Sequence, residues 1–544
     1  MSKRTFMQGA VVLAAAGVII KALGAVFKIP LGNMIGDTGM GYYQTAYTIY
    51  MIFLVLSNSG IPVAISRMVS ERIAVGRPLD AYRVFRVSFI LLLFIGFASA
   101  LFCFFKTDFL LHYFPNMEKA AYSIKAIAPA LLIVPLMAAY RGYFQGMQDM
   151  RPTANSQVTE QFFRVAAGLG VALYLLPRGE AFAAAGAAAG AAVGAAAGLL
   201  TVMTIYALGG GKRNAAQAEA HARAGGGLSA APESACGILL RICLIAAPIT
   251  IGASVMPIMN FIDLAIITNR LADLGWAAEE VRKTYGQLAG FVNPLINLPQ
   301  ILTQAVAMSL VPAVAAAHKQ NDTAFLRHNI QLGLRTAILI GLPCAFGMMV
   351  LSEEIMLLLY PAVRDAALSA APFLFILGFG VIFLSMVQTL TGVLQGVGRQ
   401  MIPVRNLCIG AAAKVAVTWT LIAIPAVNVK GAAAGTVTAY ILAAVLNLAA
   451  VRRHTGARFD LKLTYVKPFL AALVMGAAVF AVYTALYLLT GGNAVATVIS
   501  VAVGVVVYAA MLFLGGAVTE EELLLLPGGR RLARAVRAPQ RRQR

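Results

Sequence analysis

The segment Met7 to Pro30, MQGAVVLAAAGVIIKALGAVFKIP, decides how the rest of the chain is read. A helix of 24 residues reaches about 36 Å, enough to cross a bilayer. Yet Lys21 and Lys28 sit inside it. Lys21 lies only a few residues past the middle, where an ammonium facing lipid costs at least roughly 2.5 kcal/mol. Such a lysine is expected to face a bundle interior or a wet cavity. Lys28 follows almost two helical turns later and so lies on nearly the same face, interleaved with Gly17, Gly24 and Gly32. It can either extend that cationic stripe or snorkel to the outer interface.

Composition places the whole chain in the same class. With 60% hydrophobic residues and 12% charged residues over 544 positions, it cannot be a water-soluble domain. Fourteen hydrophobic spans are predicted, at 7–29, 42–66, 87–105, 123–140, 157–176, 182–208, 239–267, 285–314, 329–351, 368–393, 404–425, 431–451, 467–489 and 494–515. With both termini placed in the cytoplasm and the cytoplasmic segments taken around 67–86, 141–164, 209–241, 317–335, 394–405, 452–467 and the tail, 31 of the 43 Lys and Arg fall on the cytoplasmic side, 9 outside and 3 deep within spans, namely Lys21, Lys28 and Lys414. The net charge of +21 therefore reports topology and contact with anionic lipid rather than nucleic acid. The five cysteines show neither paired nor metal-ligand spacing, so no disulfide, metal or cofactor is expected.

An internal repeat organises the spans. Gln44, Val63, Ala64 and Ser66 recur as Gln287, Val306, Ala307 and Ser309. The pattern G-x-x-Q-G at Gly142 to Gly146 recurs at Gly392 to Gly396, followed by Pro152 and Asn155, then Pro403 and Asn406. GAAAG at Gly186 to Gly190 recurs at Gly431 to Gly435. Common order and near-constant offset predict an all-α membrane protein of two pseudo-symmetric six-helix lobes, with two further C-terminal helices. The expected boundaries are an N-terminal lobe at 1–208, a cytoplasmic linker at 209–238, a C-terminal lobe at 239–451, two added helices at 452–515 and a basic tail at 516–544. The linker, GGGKRNAAQAEAHARAGGGLSAAPES, has the Gly, Ala and polar composition of a flexible tether.

These features, and above all RGYFQGMQDMRPTANSQVTEQ at Arg141 to Gln161 with YGQLAGFVNPLINLPQ at Tyr285 to Gln300, resemble the polysaccharide-biosynthesis flippases. Within them the chain looks like the stage V sporulation protein B type, which is similar to the MurJ-type lipid II flippases of the MOP superfamily. The resemblance implies two lobes around a central cavity that moves an undecaprenyl-pyrophosphate-linked sugar from the inner to the outer leaflet of a bacterial cell membrane. It also implies cavity cations on spans 1, 2 and 8. Lys21 and Lys28 occupy span 1, and Arg67 ends span 2. Span 8 departs from the pattern, carrying Gln287, Asn293, Asn297, Gln300 and Gln304 instead of a basic residue.

The residues agree with such a cargo, because a pyrophosphate leaving water needs charge-assisted donors and sugars need amide and hydroxyl partners. The expected cavity set is Lys21, Lys28, Arg67, Gln287, Asn293, Asn297 and Lys414. Arg67 is also readable as a positive-inside anchor, and the span 8 amides as interhelical hydrogen bonds. Glu160 beside Arg164 reads as a structural ion pair. Asp263, the only carboxylate deep within a span, lies next to the repeat equivalent of Lys21, so Lys21 and Asp263 are an expected gating pair. The expected partners are the lipid-linked sugar pyrophosphate and anionic lipids, with the chain acting as a monomer. A carrier of another lipid-linked oligosaccharide is the alternative, as is a multidrug or cation exporter, although an exporter would want buried carboxylates where this chain buries lysines. A glycosyltransferase is disfavoured: there is no D-x-D, and all five histidines lie in loops or at span ends.

Overall fold

The computed structural model describes residues 3–209, 233–457 and 459–516, with the side chains of 3–15, 18 and 21 outside the description. No strand occurs among the described residues. Backbone polar groups in lipid must find partners within their own segment, which a helix provides. Seventeen α-helices are designated in chain order. The first nine are α1 (Lys3–Asn58), α2 (Gly60–Ala74), α3 (Pro78–Phe105), α4 (Thr107–Leu111), α5 (Ala120–Gly146), α6 (Arg151–Leu175), α7 (Glu180–Leu208), α8 (Ala235–Asp273) and α9 (Ala278–Tyr285). A π-helical turn, Gly286–Val292, leads into α10 (Asn293–Lys319). Then come α11 (Thr323–Val350), α12 (Ser352–Leu359), α13 (Arg364–Gly396), α14 (Met401–Ile422), α15 (Lys430–Thr455), α16 (Lys467–Thr490) and α17 (Asn493–Leu514).

Among the described residues, twelve helical segments are long and apolar enough to cross a membrane. This is a multi-pass membrane protein. Two features separate twelve from the expected fourteen. The first expected span, 7–29, and the second, 42–66, are joined by the continuous helix α1 and are represented by one segment, Ala22–Ala74, and α6, expected as 157–176, is not among the twelve. The first half of α6 carries Gln157, Glu160, Gln161 and Arg164, which lowers its hydropathy. Within α1 the helical course breaks only at Gly36, whose φ of 65° is one that L-residues with a side chain rarely adopt.

The chain divides into two compact units, Met1–Phe291 and Val292–Arg544. In the first, α7 lies against both α5 and α6, and a core of Ile65, Met68, Val69, Phe85, Met137 and Ile242 joins α2, α3, α5 and α8. In the second, α13 lies against α10, α11 and α15, and Leu334, Leu390, Val451, Met475 and Tyr508 share a core. The expected linker lies outside the described residues over 210–232, as does the tail over 517–544.

The repeat seen in the sequence reappears as packing. A methyl at Gly142 would stand 2.8 Å from the Pro62 carbonyl oxygen, and one at Gly392 would stand 2.8 Å from the Ala307 carbonyl oxygen. In α7 a methyl at Gly190 would meet the Arg164 carbonyl oxygen at 2.7 Å, and in α15 a methyl at Gly435 would meet that of Lys414 at 3.1 Å. Lipid supplies no hydrophobic drive between helices, so close backbone approach through small residues is what holds them together. The recurring glycines thus bring helix backbones together in each unit; the Gly190 and Gly435 contacts set Arg164 and Lys414 at corresponding places, one residue out of step with the Pro152/Pro403 spacing, which pairs Arg164 with Val415.

Candidate functional site

Lys28 is placed by the reversal of α1 at Gly36. Phe27 and Tyr43 would be about 24 Å apart along a continuous helix, yet their ring centroids are 5.9 Å apart, so the chain folds back between them. The returning arm presents a ladder of tyrosines: Tyr43 stacks on Tyr47 at 5.9 Å, and Tyr47 meets Tyr50 at 5.9 Å. The half-buried Lys28 lays its Nζ over the Tyr47 ring, 5.6 Å from the centroid. A cation over an aromatic face is held by about 0.5–1 kcal/mol when exposed and about 2 kcal/mol or more when desolvated. That is enough to orient the ammonium and too little to neutralise it. No carboxylate among the described residues lies within ion-pair distance of Lys28.

Beside the ladder is a second cationic group. Glu160 of α6 is shared by two arginines: Arg141 Nη2 donates to Oε2 at 3.0 Å, and Arg164 Nη2 donates to Oε1 at 2.7 Å. Arg141 Nε also donates to Ser156 Oγ at 2.9 Å. All three charged side chains are largely buried, at 9%, 13% and 17% exposure for Arg141, Glu160 and Arg164. Arg164 lies within electrostatic reach of Tyr43, Tyr47 and Tyr50. From Arg151 to Arg164 the helix rises about 20 Å. The cluster is therefore well inside α6, although the sequence count had assigned Arg141 and Arg164 to a cytoplasmic segment. Two guanidinium groups against one carboxylate leave a formal +1 in a region where each desolvated charge costs several kcal/mol.

The other expected cavity residues are distributed as follows. The Lys21 side chain lies outside the described residues, and with it the Lys21–Asp263 pair. Asp263 is half-buried and within electrostatic reach of Tyr285, whose hydroxyl is 3.2 Å from that of Thr48. Gln287 is buried and donates to Asp37 Oδ2 at 2.8 Å, while its repeat partner Gln44 donates to the Ala289 carbonyl at 2.6 Å. Arg67 is 64% exposed and pairs with Glu71, which Arg241 also reaches. In the second unit, Asn293 and Asn297 are exposed and share one face of α10 with Gln300. Gln300 accepts from Gln388 Nε2 of α13 at 3.2 Å, and Thr303 donates to Gln388 Oε1 at 2.5 Å. Lys414 is buried and lies on α14. The structure thus brings Lys28, the tyrosines and the Arg141–Glu160–Arg164 cluster together in the first unit, and Gln300 and Thr303 of α10 together with Gln388 in the second. The tyrosine ladder and Arg164 were absent from the expected set. Their signal was the i, i+4 pair Glu160–Arg164 within the expected span 157–176.

Residues 6–318 match the family described as polysaccharide biosynthesis protein, more than half of the chain. The chain belongs to that family. Residues 288–420 match a second family, MatE. Stage V sporulation protein B of Bacillus subtilis (strain 168) is 26% identical over 483 residues, covering 88% of this chain and 89% of the relative. Lipid II flippase MurJ of the same organism is also 26% identical, over 87% of each chain. The solved structure of lipid II flippase MurJ in an inward closed conformation superimposes with a TM-score of 0.68 at 14% identity, covering 92% of this chain and 98% of that one. The expected resemblance to stage V sporulation protein B-type members of the MOP superfamily is borne out. The polysaccharide-biosynthesis match spans the whole α1 hairpin and the stretch Arg141 to Gln161, whose two ends are tied by the Arg141–Glu160 ion pair.

Proposed function

We propose that this protein is a flippase that moves an undecaprenyl-pyrophosphate-linked sugar, a lipid II-like peptidoglycan precursor, from the inner to the outer leaflet of a bacterial cell membrane by alternating access. It would do so through fourteen passes with both termini cytoplasmic, so that α6 crosses the bilayer despite its polar first half. The observation that carries this reading is the pairing of excess buried positive charge with aromatic hydroxyls in the first unit. A pyrophosphate leaving water needs cations whose charge is not already cancelled. Lys28 and the Arg141–Glu160–Arg164 cluster meet that need, Lys21 adds a further cation on the same helix, and tyrosine rings suit the faces and hydroxyls of sugars. Membership of a polysaccharide biosynthesis family is consistent with such a cargo.

The MatE match favours one second reading, export of drugs or cations. Buried basic groups repel cations and so weigh against it. Depleting the protein and identifying the lipid-linked sugar that accumulates in the inner leaflet tests the proposal. Accumulation of lipid II or a related pyrophosphate-linked sugar is the expected result; unchanged lipid pools together with raised retention of cationic dyes would favour the exporter. Accumulation of a different lipid-linked oligosaccharide would keep the flippase and change the cargo.

A further inference from the structure

We propose that Arg164 is an anion-holding residue of the transport path, and that Glu160 is its resident counter-ion, exchanged for a phosphate of the cargo. This rests on the lipid-pyrophosphate reading above and assigns it a residue. Glu160 holds both Arg141 and Arg164, each through a different carboxylate oxygen. Arg141 has a further anchor in Ser156 Oγ. If Arg164 turns to a phosphate oxygen, Glu160 therefore remains satisfied by Arg141 and no carboxylate is left buried and bare. The converse exchange is not equivalent, because Arg141 is the more enclosed of the two and Arg164 is the one within reach of Tyr43, Tyr47 and Tyr50. The formal charge of the cluster is +1 before cargo arrives, and one phosphate oxygen anion brings it to zero.

A second observation points the same way. The glycine contacts of α7 and α15 set Arg164 and Lys414 against corresponding glycines, so each unit carries a largely buried basic residue at that contact. A purely local ion pair would need its partner repeated as well. A basic residue recurs at the contact, while the position four residues before it holds glycine, Gly410, where the first unit holds glutamate, Glu160.

The test is native mass spectrometry of the purified full-length protein in detergent, with undecaprenyl pyrophosphate and undecaprenol as probes. The readout is the preference for the pyrophosphate over the alcohol. Arg164→Gln is expected to reduce that preference about tenfold or more, and Arg164→Lys to retain part of it. Glu160→Gln is expected to strengthen pyrophosphate binding severalfold, since it frees Arg164 and raises the cluster charge. A merely structural cluster gives the opposite sign for Glu160→Gln, with weakened binding of both probes and a lower unfolding temperature, and that result overturns the proposal. So does an unchanged preference in Arg164→Gln. Equal binding of both probes by the wild-type protein would overturn the lipid-pyrophosphate reading and this proposal together, whereas a wild-type preference that survives in the Arg164 variants overturns this proposal alone.

Discussion

Lys28 and Arg67 are both basic residues near the ends of expected spans, and their surroundings assign them opposite weights. Lys28 has its ammonium over Tyr47 with no carboxylate in reach among the described residues, while Arg67 is mostly exposed and shares Glu71 with Arg241. Exposed pairs are worth about 0.2–1 kcal/mol. Arg67→Ala is therefore expected to leave transport and thermal stability near wild type, measured in proteoliposomes and by a melting curve in detergent. Lys28→Gln is expected to weaken binding of a pyrophosphate-linked lipid by about 3- to 30-fold, the range set by a cation–π contact of about 0.5–2 kcal/mol and the charge it positions. Tyr47→Phe keeps the ring face and should bind like wild type, whereas Tyr47→Leu should follow Lys28→Gln. If Tyr47→Leu also binds like wild type, the ring does not position the lysine. Lys21→Ala, at equal protein level, is expected to abolish transport without affecting insertion.

Among the elements, two glycines separate backbone cost from packing cost. Gly36 has a positive φ and nothing within 4 Å of where a methyl would stand. Its ψ of −173° completes a combination essentially confined to glycine, so Gly36→Ala carries backbone strain alone, about 1–3 kcal/mol. Gly190 has ordinary helical geometry, but a methyl there would meet the Gly168 Cα at 2.5 Å, backbone that cannot rotate away. Gly190→Ala is expected to be the worse substitution, because α6 and α7 must separate along their shared face and lose packing, the main force holding helices together in lipid. Unfolding of the two variants in detergent should rank them in that order. The reverse ranking would mean that the α1 reversal tolerates a side chain less well than one strained backbone residue accounts for.

For the molecule as a whole, the expected gate between Lys21 and Asp263 becomes a measurement of state. With cysteines at both positions, a short crosslinker should join them in the state in which that side of the cavity is closed, since the two positions then approach whether or not the native charges are present. Labelling of each cysteine alone without any crosslink, with or without cargo, would remove the gate. What the chain determined without its tertiary structure was the membrane class, nearly every helix and the repeat. Hydropathy and the spacing of small residues are local properties, and the Gly142, Gly190, Gly392 and Gly435 contacts are each legible as a glycine in a recurring pattern. What only the tertiary structure decided was which charges are buried together. Arg141 and Glu160 are 19 residues apart, and Lys28 and Tyr47 are also 19 apart with a reversal between them. Proximity in both pairs depends on Gly36 and on the α5–α6 turn, and a linear count of charges by side placed Arg164 at an interface. A charge is assigned to water or to the interior by whatever packs around its tip, and that neighbour is supplied by folding rather than by sequence position.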